Sequence, residues 1–255
     1  DREAEGWLVN YTDLSTSGYP TLLSSQLRDL QLADPETGWA WQAPLVTLQQ
    51  RPLRADQVTA ILPEEHSIAS PFERLDITNS QMTSDLNLRP SANLALDLSQ
   101  TQLRDLTLTS SAGWSSSLRA GTLLVQRRDG EDQDYDLVFE AEGYAPPEGM
   151  SRVLDPAGLL PAEIETLRIA GQFAFDRPWD LDAIEVARPQ VTQIDLAEAQ
   201  AVWGDMRLRA SGALMVDGAG LPEGEIAIRA ENWRSMLELA VNAGVISTDA
   251  SRMIE

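Results

Sequence analysis

Met206-Arg207-Leu208-Arg209-Ala210-Ser211-Gly212-Ala213-Leu214-Met215-Val216 alternates side-chain character residue by residue. After Asp217-Gly218-Ala219-Gly220 the alternation resumes in Glu225-Ile226-Ala227-Ile228-Arg229-Ala230. A period of two is the strand period, so Leu208 and Leu214 share one sheet face while Arg207 and Arg209 share the other. The Asp/Gly-rich segment between the two runs is turn chemistry, and the pair reads as a hairpin. The same signal recurs upstream at Leu94, Leu96 and Leu98, at Leu106 and Leu108, and at Leu137, Phe139 and Ala141. It returns at Ile169, Phe173 and Phe175. The chain is therefore a succession of strands that present one apolar face.

Between the runs lie residues that break or reverse a strand. Asp34-Pro35-Glu36-Thr37-Gly38, Gly113-Trp114-Ser115 and Arg128-Asp129-Gly130-Glu131-Asp132 have the composition of tight turns. The stretch from Pro146 to Pro161 loses the alternation and reads as a loop with short helical turns. Helical spacing begins only near the end. Asn232 is a good N-cap, Trp233, Met236, Leu237, Ala240 and Val241 follow with helical periodicity, and Gly244 supplies a stop. Thr248-Asp249 has the character of a second cap. The expected fold is mainly β (α+β), with a large curved antiparallel sheet and one or two short helices near the C-terminus. It is read as one domain over residues 1–255, with sub-lobes at 1–145 and 146–255 joined by the loop at 144–163. Both ends have the look of a truncated chain.

Each strand offers about four apolar side chains, each worth ~1.5–3 kcal/mol once removed from water. So many strands cannot leave that face wet, and one or two helices cannot cover it. Either the sheet folds over on itself as a sandwich or half-barrel, or it curls around an apolar ligand.

Composition narrows the chemistry. The net charge is −21, and all 19 basic residues are arginine. A surface so acidic repels nucleic acid and anionic headgroups alike. No cysteine is present, which removes disulfides, thiol nucleophiles and thiolate metal sites, and no cofactor is expected. The single histidine, His66, sits in Glu64-Glu65-His66-Ser67 without a second nitrogen ligand, so it reads as a solvated loop histidine more than a base or zinc ligand. Carboxylates abound, as in Glu131, Asp132, Asp134 and Asp136 or Glu163 and Glu165, but among 40 acidic residues such pairs arise by chance. The 129–136 run lacks calcium-loop spacing. Gly218-Ala219-Gly220 lies between strands instead of opening a helix, which makes it a turn and not a phosphate loop.

Aromatic residues carry the remaining signal. Trp39, Trp41, Trp114, Trp179, Trp203 and Trp233 fall mostly at turns and strand ends, and Phe173 and Phe175 lie on an alternating run. These are the candidate apolar-face or rim residues. The indoles either ring an apolar mouth or plug the ends of the sheet core.

Several stretches together resemble one bacterial family. They are Gly6-Trp7-Leu8-Val9-Asn10-Tyr11 with Gly18-Tyr19-Pro20, and Leu32-Ala33-Asp34-Pro35 with Gly38-Trp39-Ala40-Trp41-Gln42-Ala43-Pro44. Leu106-Thr107-Leu108-Thr109-Ser110-Ser111-Ala112-Gly113-Trp114, Phe175-Asp176-Arg177-Pro178-Trp179-Asp180 and Ile228-Arg229-Ala230-Glu231-Asn232-Trp233-Arg234-Ser235-Met236-Leu237 complete the set. The set resembles domain of unknown function 2125, found mainly in alphaproteobacteria. The resemblance implies an inner-membrane-anchored envelope protein with a periplasmic β-rich body, distantly similar to AsmA-like proteins that handle lipid. The family's anchor helix and the portion expected after the helix at 233–243 are not part of this sequence, and the resemblance transfers no catalytic residue.

The expected function is non-enzymatic. An apolar sheet face binds or conveys lipid, or supports envelope assembly with a membrane-associated partner. The alternative is an interaction or scaffold module with a self-packed core, working through its rim tryptophans or sheet edges. A carboxylate hydrolase is the third class, and it requires two carboxyls about 5–10 Å apart in one pocket.

Overall fold

The computed structural model describes residues 8–232 except 36, 156, 157, 159 and 187. The expected helix from Trp233, the cap at Thr248-Asp249, and Trp7 lie outside the described residues. The first strands are β1 (Leu8–Asn10), β2 (Asp13–Ser17), β3 (Leu23–Ala33), β4 (Ala40–Arg51) and β5 (Arg54–Ile61). Next come β6 (Glu65–Ala69), β7 (Arg74–Thr78), β8 (Gln81–Arg89), β9 (Ala95–Ser110), β10 (Ser115–Arg127) and β11 (Asp134–Ala145). Helix α1 (Glu148–Leu154) precedes β12 (Ile164–Phe175). A four-residue α2 (Asp182–Glu185) precedes β13 (Val191–Trp203), β14 (Met206–Val216) and β15 (Pro222–Glu231). The protein is mainly β, as its alternation requires, and the short helical turn expected after Pro146 is α1.

All fifteen strands belong to one antiparallel sheet. Its wiring is simpler than the strand count suggests. β1 and β2 pair along β3 in a single register, and β7 and β8 do the same along β9. β5 and β6 follow β4 with a slip of one residue. The sheet is thus twelve chain passes in strict sequential order, each bonded to the pass before and the pass after. It runs without interruption from β11 into β12, across the loop that follows residue 145. Among the described residues no pairing joins β1 or β2 to β15, so the sheet is open.

A crease crosses the first eight passes. Register is missing between Asp29 and Pro44, between Asp105 and Arg119, and between Arg119 and Gly143. Asp29 (φ 49°), Asp105 (φ 46°) and Gly143 (φ 62°) are left-handed at these points. Asp tolerates that conformation because its short carboxylate is hydrogen-bonded locally. Thr12 Oγ1 donates to Asp29 Oδ2 at 2.7 Å, and Ser80 Oγ donates to Asp105 Oδ2 at 2.6 Å. At Gly143 the left-handed conformation costs a glycine nothing, and a Cβ there would displace the Arg119 guanidinium, 2.6 Å away at Nη2. One left-handed residue inserts an odd step into the pleat. Side chains at i and i+3 then share a face across it, and the apolar face continues from Leu27 to Leu30 and from Leu103 to Leu106.

The residues that build the crease repeat. Gln26-Leu27-Arg28-Asp29-Leu30-Gln31-Leu32 recurs as Gln102-Leu103-Arg104-Asp105-Leu106-Thr107-Leu108, and each copy is followed by a Gly-Trp turn. The two copies occupy equivalent sites on β3 and β9, each with a hydroxyl from the preceding pass on its aspartate.

Alternation was misleading in one run. Leu98 pairs with Gln126 and Asn87 on the opposite face, and Leu94 lies in a turn at φ 56°. The segment 90–94 includes a 3-10 turn, which ends the strand pattern before β9 begins.

Turns alternate between the two ends of a meander, so the β3–β4 turn and the β12–β13 connection belong to opposite ends. They meet nonetheless: Arg188 Nη2 lies 3.5 Å from Asp34 Oδ2 and 3.3 Å from Thr37 Oγ1. Sheet twist of about −20 to −25° per strand, summed over the seven steps from β3 to β12, reverses one set of strands relative to the other. The sheet is therefore partly folded over, with its apolar face inside.

Candidate functional site

The inner face has a buried end and an open floor. Straddling the crease, Leu30, Ala43 and Val46 form one buried cluster. Leu103, Leu118 and Ala141 form a second, with Tyr144 and Phe139 packed against it. Below the crease the floor is made by Leu123, Leu137, Ile169, Phe173, Ile194 and Leu214, cross-strand neighbours on β10 to β14. All six are half-buried. A side chain in the middle of a twelve-pass sheet that keeps part of its surface lacks a complete second layer above it. The apolar face also reaches both sheet edges in the open: Val9 and Leu14 at one, Ile226 and Ile228 at the other, between 44 and 75% exposed.

A strap closes one end of this floor. Residues 176–190 connect β12 to β13, and their base is a paired ring: Asp176 N donates to Gln190 O at 2.9 Å, and Gln190 N to Asp176 Oδ1 at 2.7 Å. Burial alone would raise the Asp176 carboxyl, but the bonds from Gln190 and Arg177 hold it below the usual carboxylate value. The strap crosses β9 and β11. Leu96 N donates to Trp179 O, Leu181 N to Asn93 O, and Trp179 N to the Tyr135 hydroxyl at 3.2 Å. Tyr135, Phe175 and Trp179 stack edge to face in a row, with centroids 5.8 and 5.7 Å apart. Burial pushes the Tyr135 hydroxyl above its ordinary pKa, opposed by the Trp179 amide. Beside it Arg127 pairs with Asp97 at 3.0 Å on the same inner face, a charged stop to an otherwise apolar surface.

The eight aromatic candidates separate by environment. Trp203 is 2% exposed, and its Nε1 donates to Pro161 O at 2.6 Å, which makes it a plug. The Trp114 indole donates to Glu73 Oε2 at 3.0 Å, a carboxylate that also accepts from Ser110 Oγ, so it is pinned at the β9–β10 turn. Trp41 stands on the inner face, edge-on to His66 at 6.2 Å. Trp39, beside the β3–β4 turn, and Trp179, on the strap, are both exposed, and the Arg188 contacts bring their two segments together. Phe173 lies on the floor and Phe175 under the strap. Trp233 is outside the described residues. The structure thus joins Phe173, Phe175 and Trp179 at one end of the floor and places Trp203 and Trp114 elsewhere.

His66 is not the solvated loop histidine that its acidic neighbours suggest: it lies on β6 opposite Ile77, buried on the inner face, and among the described residues its Nδ1 has no hydrogen-bond partner. Burial lowers its pKa from 6.5, with the Pro63 carbonyl opposing. Its neutral ring serves packing against Trp41 and Ile77. The acidic pairs singled out in the sequence are exposed: Glu131 and Asp132 lie at the β10–β11 turn, and Glu163 pairs with Arg119 at 2.7 Å. Among the described residues no group of three His, Asp or Glu side chains is placed to hold a metal ion.

Grooves on the opposite, outer face are polar. One of about 640 Å³ is bordered by Gln102, Arg104, Thr122, Glu140, Arg168 and Gln200. Another of about 430 Å³, along the crease, is bordered by Gln31, Gln42, Glu65, Ser67, Arg74 and Asp76. Sequence reasoning missed the strap contacts of Tyr135, Arg127, Asp97 and Arg188, which no local pattern marks. It also missed the crease aspartates, whose repeated Leu-Arg-Asp-Leu was visible.

The chain belongs to the family described as "Uncharacterized protein conserved in bacteria (DUF2125)", whose model matches residues 1–255. No curated protein and no solved structure matches it.

Proposed function

We propose that this protein is a non-enzymatic envelope protein whose inner sheet face receives the acyl part of a lipid. One observation carries the reading: an apolar floor continuous over five strands whose leucines, isoleucines and phenylalanine are only half-buried. A buried methylene is worth ~0.8 kcal/mol, so a chain laid on such a floor gains several kcal/mol without any polar anchor. The strap and the Arg127–Asp97 pair close one end, and Trp179 stands at that closure where an indole suits an apolar-to-wet boundary. The acidic surface favours uptake of the apolar tail over docking of the whole body on an anionic bilayer. Periplasmic placement, an inner-membrane anchor and an AsmA-like role in conveying lipid or supporting envelope assembly belong to the same reading.

Native mass spectrometry of the purified chain, with organic extraction of what it carries, tests this. The expected result is a bound species of lipid mass that is lost on extraction. Protein that stays ligand-free after incubation with fatty acid and with phospholipid vesicles overturns it. A scaffold role is the second reading, favoured by the bare edge of β15.

A further inference from the structure

Among the described residues β15 is the last pass of the sheet, and none of them pairs with its outer edge over Pro222–Glu231. Natural sheets protect such edges with proline, charge on the inner face, bulges or a short strand. Here proline stands only at the first position, and the strand is ten residues long. The large residues of its inner face are Ile226 and Ile228, opposite Gly212 and Ala210 of β14, so neither isoleucine has a large residue directly across from it. Ile228 is 75% exposed.

The outer face of the same strand is unbalanced. Glu225 lies opposite Ala213 and forms no ion pair among the described residues. Arg229 lies directly opposite Arg209, a like-charge cross-strand pair, and among the described residues its ion pair is with Glu231, at 4.0 Å. Both defects are resolved by one partner. If a second β15 runs antiparallel with Ala227 opposite Ala227, Ile226 meets Ile228 twice on the inner face. Glu225 meets Arg229 twice on the outer face, next to Arg209. At the two outer positions Glu223 meets Glu231, so the strand is self-complementary in apolar and charged side chains over its central residues 225–229.

We infer that β15 pairs with β15 of a second copy of this chain, in an isologous antiparallel dimer centred on Ala227. Such a contact closes with two-fold symmetry and does not propagate, because each copy uses the same edge. It joins the two inner faces into one floor and covers both isoleucine pairs. The dimer needs only this edge and forms whether or not lipid is bound.

Sedimentation equilibrium of the full chain tests it first, with a dimer expected. Glu225→Arg and Arg229→Glu each place like charges across the axis and weaken the dimer by about tenfold. The double variant E225R/R229E restores both ion pairs and recovers the wild-type dissociation constant, an outcome that a general loss of folding cannot produce. Because the chain has no cysteine, Ala227→Cys supplies a single thiol that oxidises to a covalent dimer, whereas Ser211→Cys, one strand inward, does not. A monomer at all concentrations, a dimer indifferent to both charge reversals, or equal cross-linking at the two positions overturns the inference.

Discussion

Ile169→Glu is the sharpest test of the lipid-binding floor. Ile169 lies on the inner face of β12 between Phe139 and Ala199, with Gly171 two residues on, and it is half-buried. The small neighbours leave room for a glutamate to extend its carboxylate into solvent, so the folded state loses only part of one isoleucine's burial, about 1 kcal/mol. A bound acyl chain is affected far more. It forfeits contact with three or four methylenes at ~0.8 kcal/mol each, about 2.5–3 kcal/mol, before the cost of covering a carboxylate is added. At 1.4 kcal/mol per decade this is about a hundredfold in affinity. Displacement titration of a fluorescent fatty acid measures it, with a thermal unfolding curve to show that the variant is folded. Gln200→Glu, on the outer face of the next strand, makes the same charge change and is expected to bind as the wild type does. If Ile169→Glu binds within twofold of wild type, or Gln200→Glu loses as much, the acyl chain does not lie on this face.

Trp203→Ala empties a fully buried site and strands the Pro161 carbonyl, at a cost of about 3–5 kcal/mol, while Trp203→Phe costs about 1–3 kcal/mol; urea midpoints should rank them so. His66 gives a pH signature. Its folded pKa is lowered from 6.5, so the unfolded chain takes up the proton first; its contribution to stability is complete above about pH 6.5 and declines as pH falls through that value. The loss of urea midpoint between pH 7.5 and pH 5.5 should therefore shrink in His66→Leu, and an unchanged loss would remove His66 from the account. Asp105→Val puts a β-branched residue at φ 46° and removes the acceptor of Ser80, whereas Asp105→Gly removes the acceptor alone. The valine variant should unfold at the lower denaturant concentration, and the reverse order would mean that the crease is not held by backbone conformation.

Most of the strands could be read because a strand's signal is local. The alternation in Met206–Val216 and in Glu225–Ala230 survives as β14 and β15, and the turn chemistry at Asp34–Gly38 and Gly113-Trp114 falls between paired strands. Ile194 and Leu196 alternate in one phase and Ala199 and Ala201 in the other, yet both pairs belong to one strand, β13, with a register shift between Leu196 and Ala199. The shift changes the face without ending the ladder, and a change of face looks from sequence like an interruption. The same ambiguity hid the crease. An odd step at Asp29 or Asp105 resembles a break in periodicity, although the repeated Gln-Leu-Arg-Asp-Leu marks it twice.

The candidate site was legible only in part. Phe173 and Phe175 sit on the apolar face that their spacing demands, and the tryptophans among the described residues lie at turns and strand ends. Which indole is a plug and which stands on the rim depends on acceptors far away in the chain. For Trp114 the acceptor is Glu73, and for Trp203 it is Pro161.

The amino-acid order by itself determined a mainly β protein with one apolar face, because side chains two apart must share a side of a pleated strand. Tertiary structure alone decided that the fifteen strands make one unbroken meander, that a line of left-handed residues keeps its apolar face continuous, and that Arg188 reaches Asp34. Those facts depend on register between strands and on twist accumulated over many passes. Neither quantity resides in any single stretch of chain.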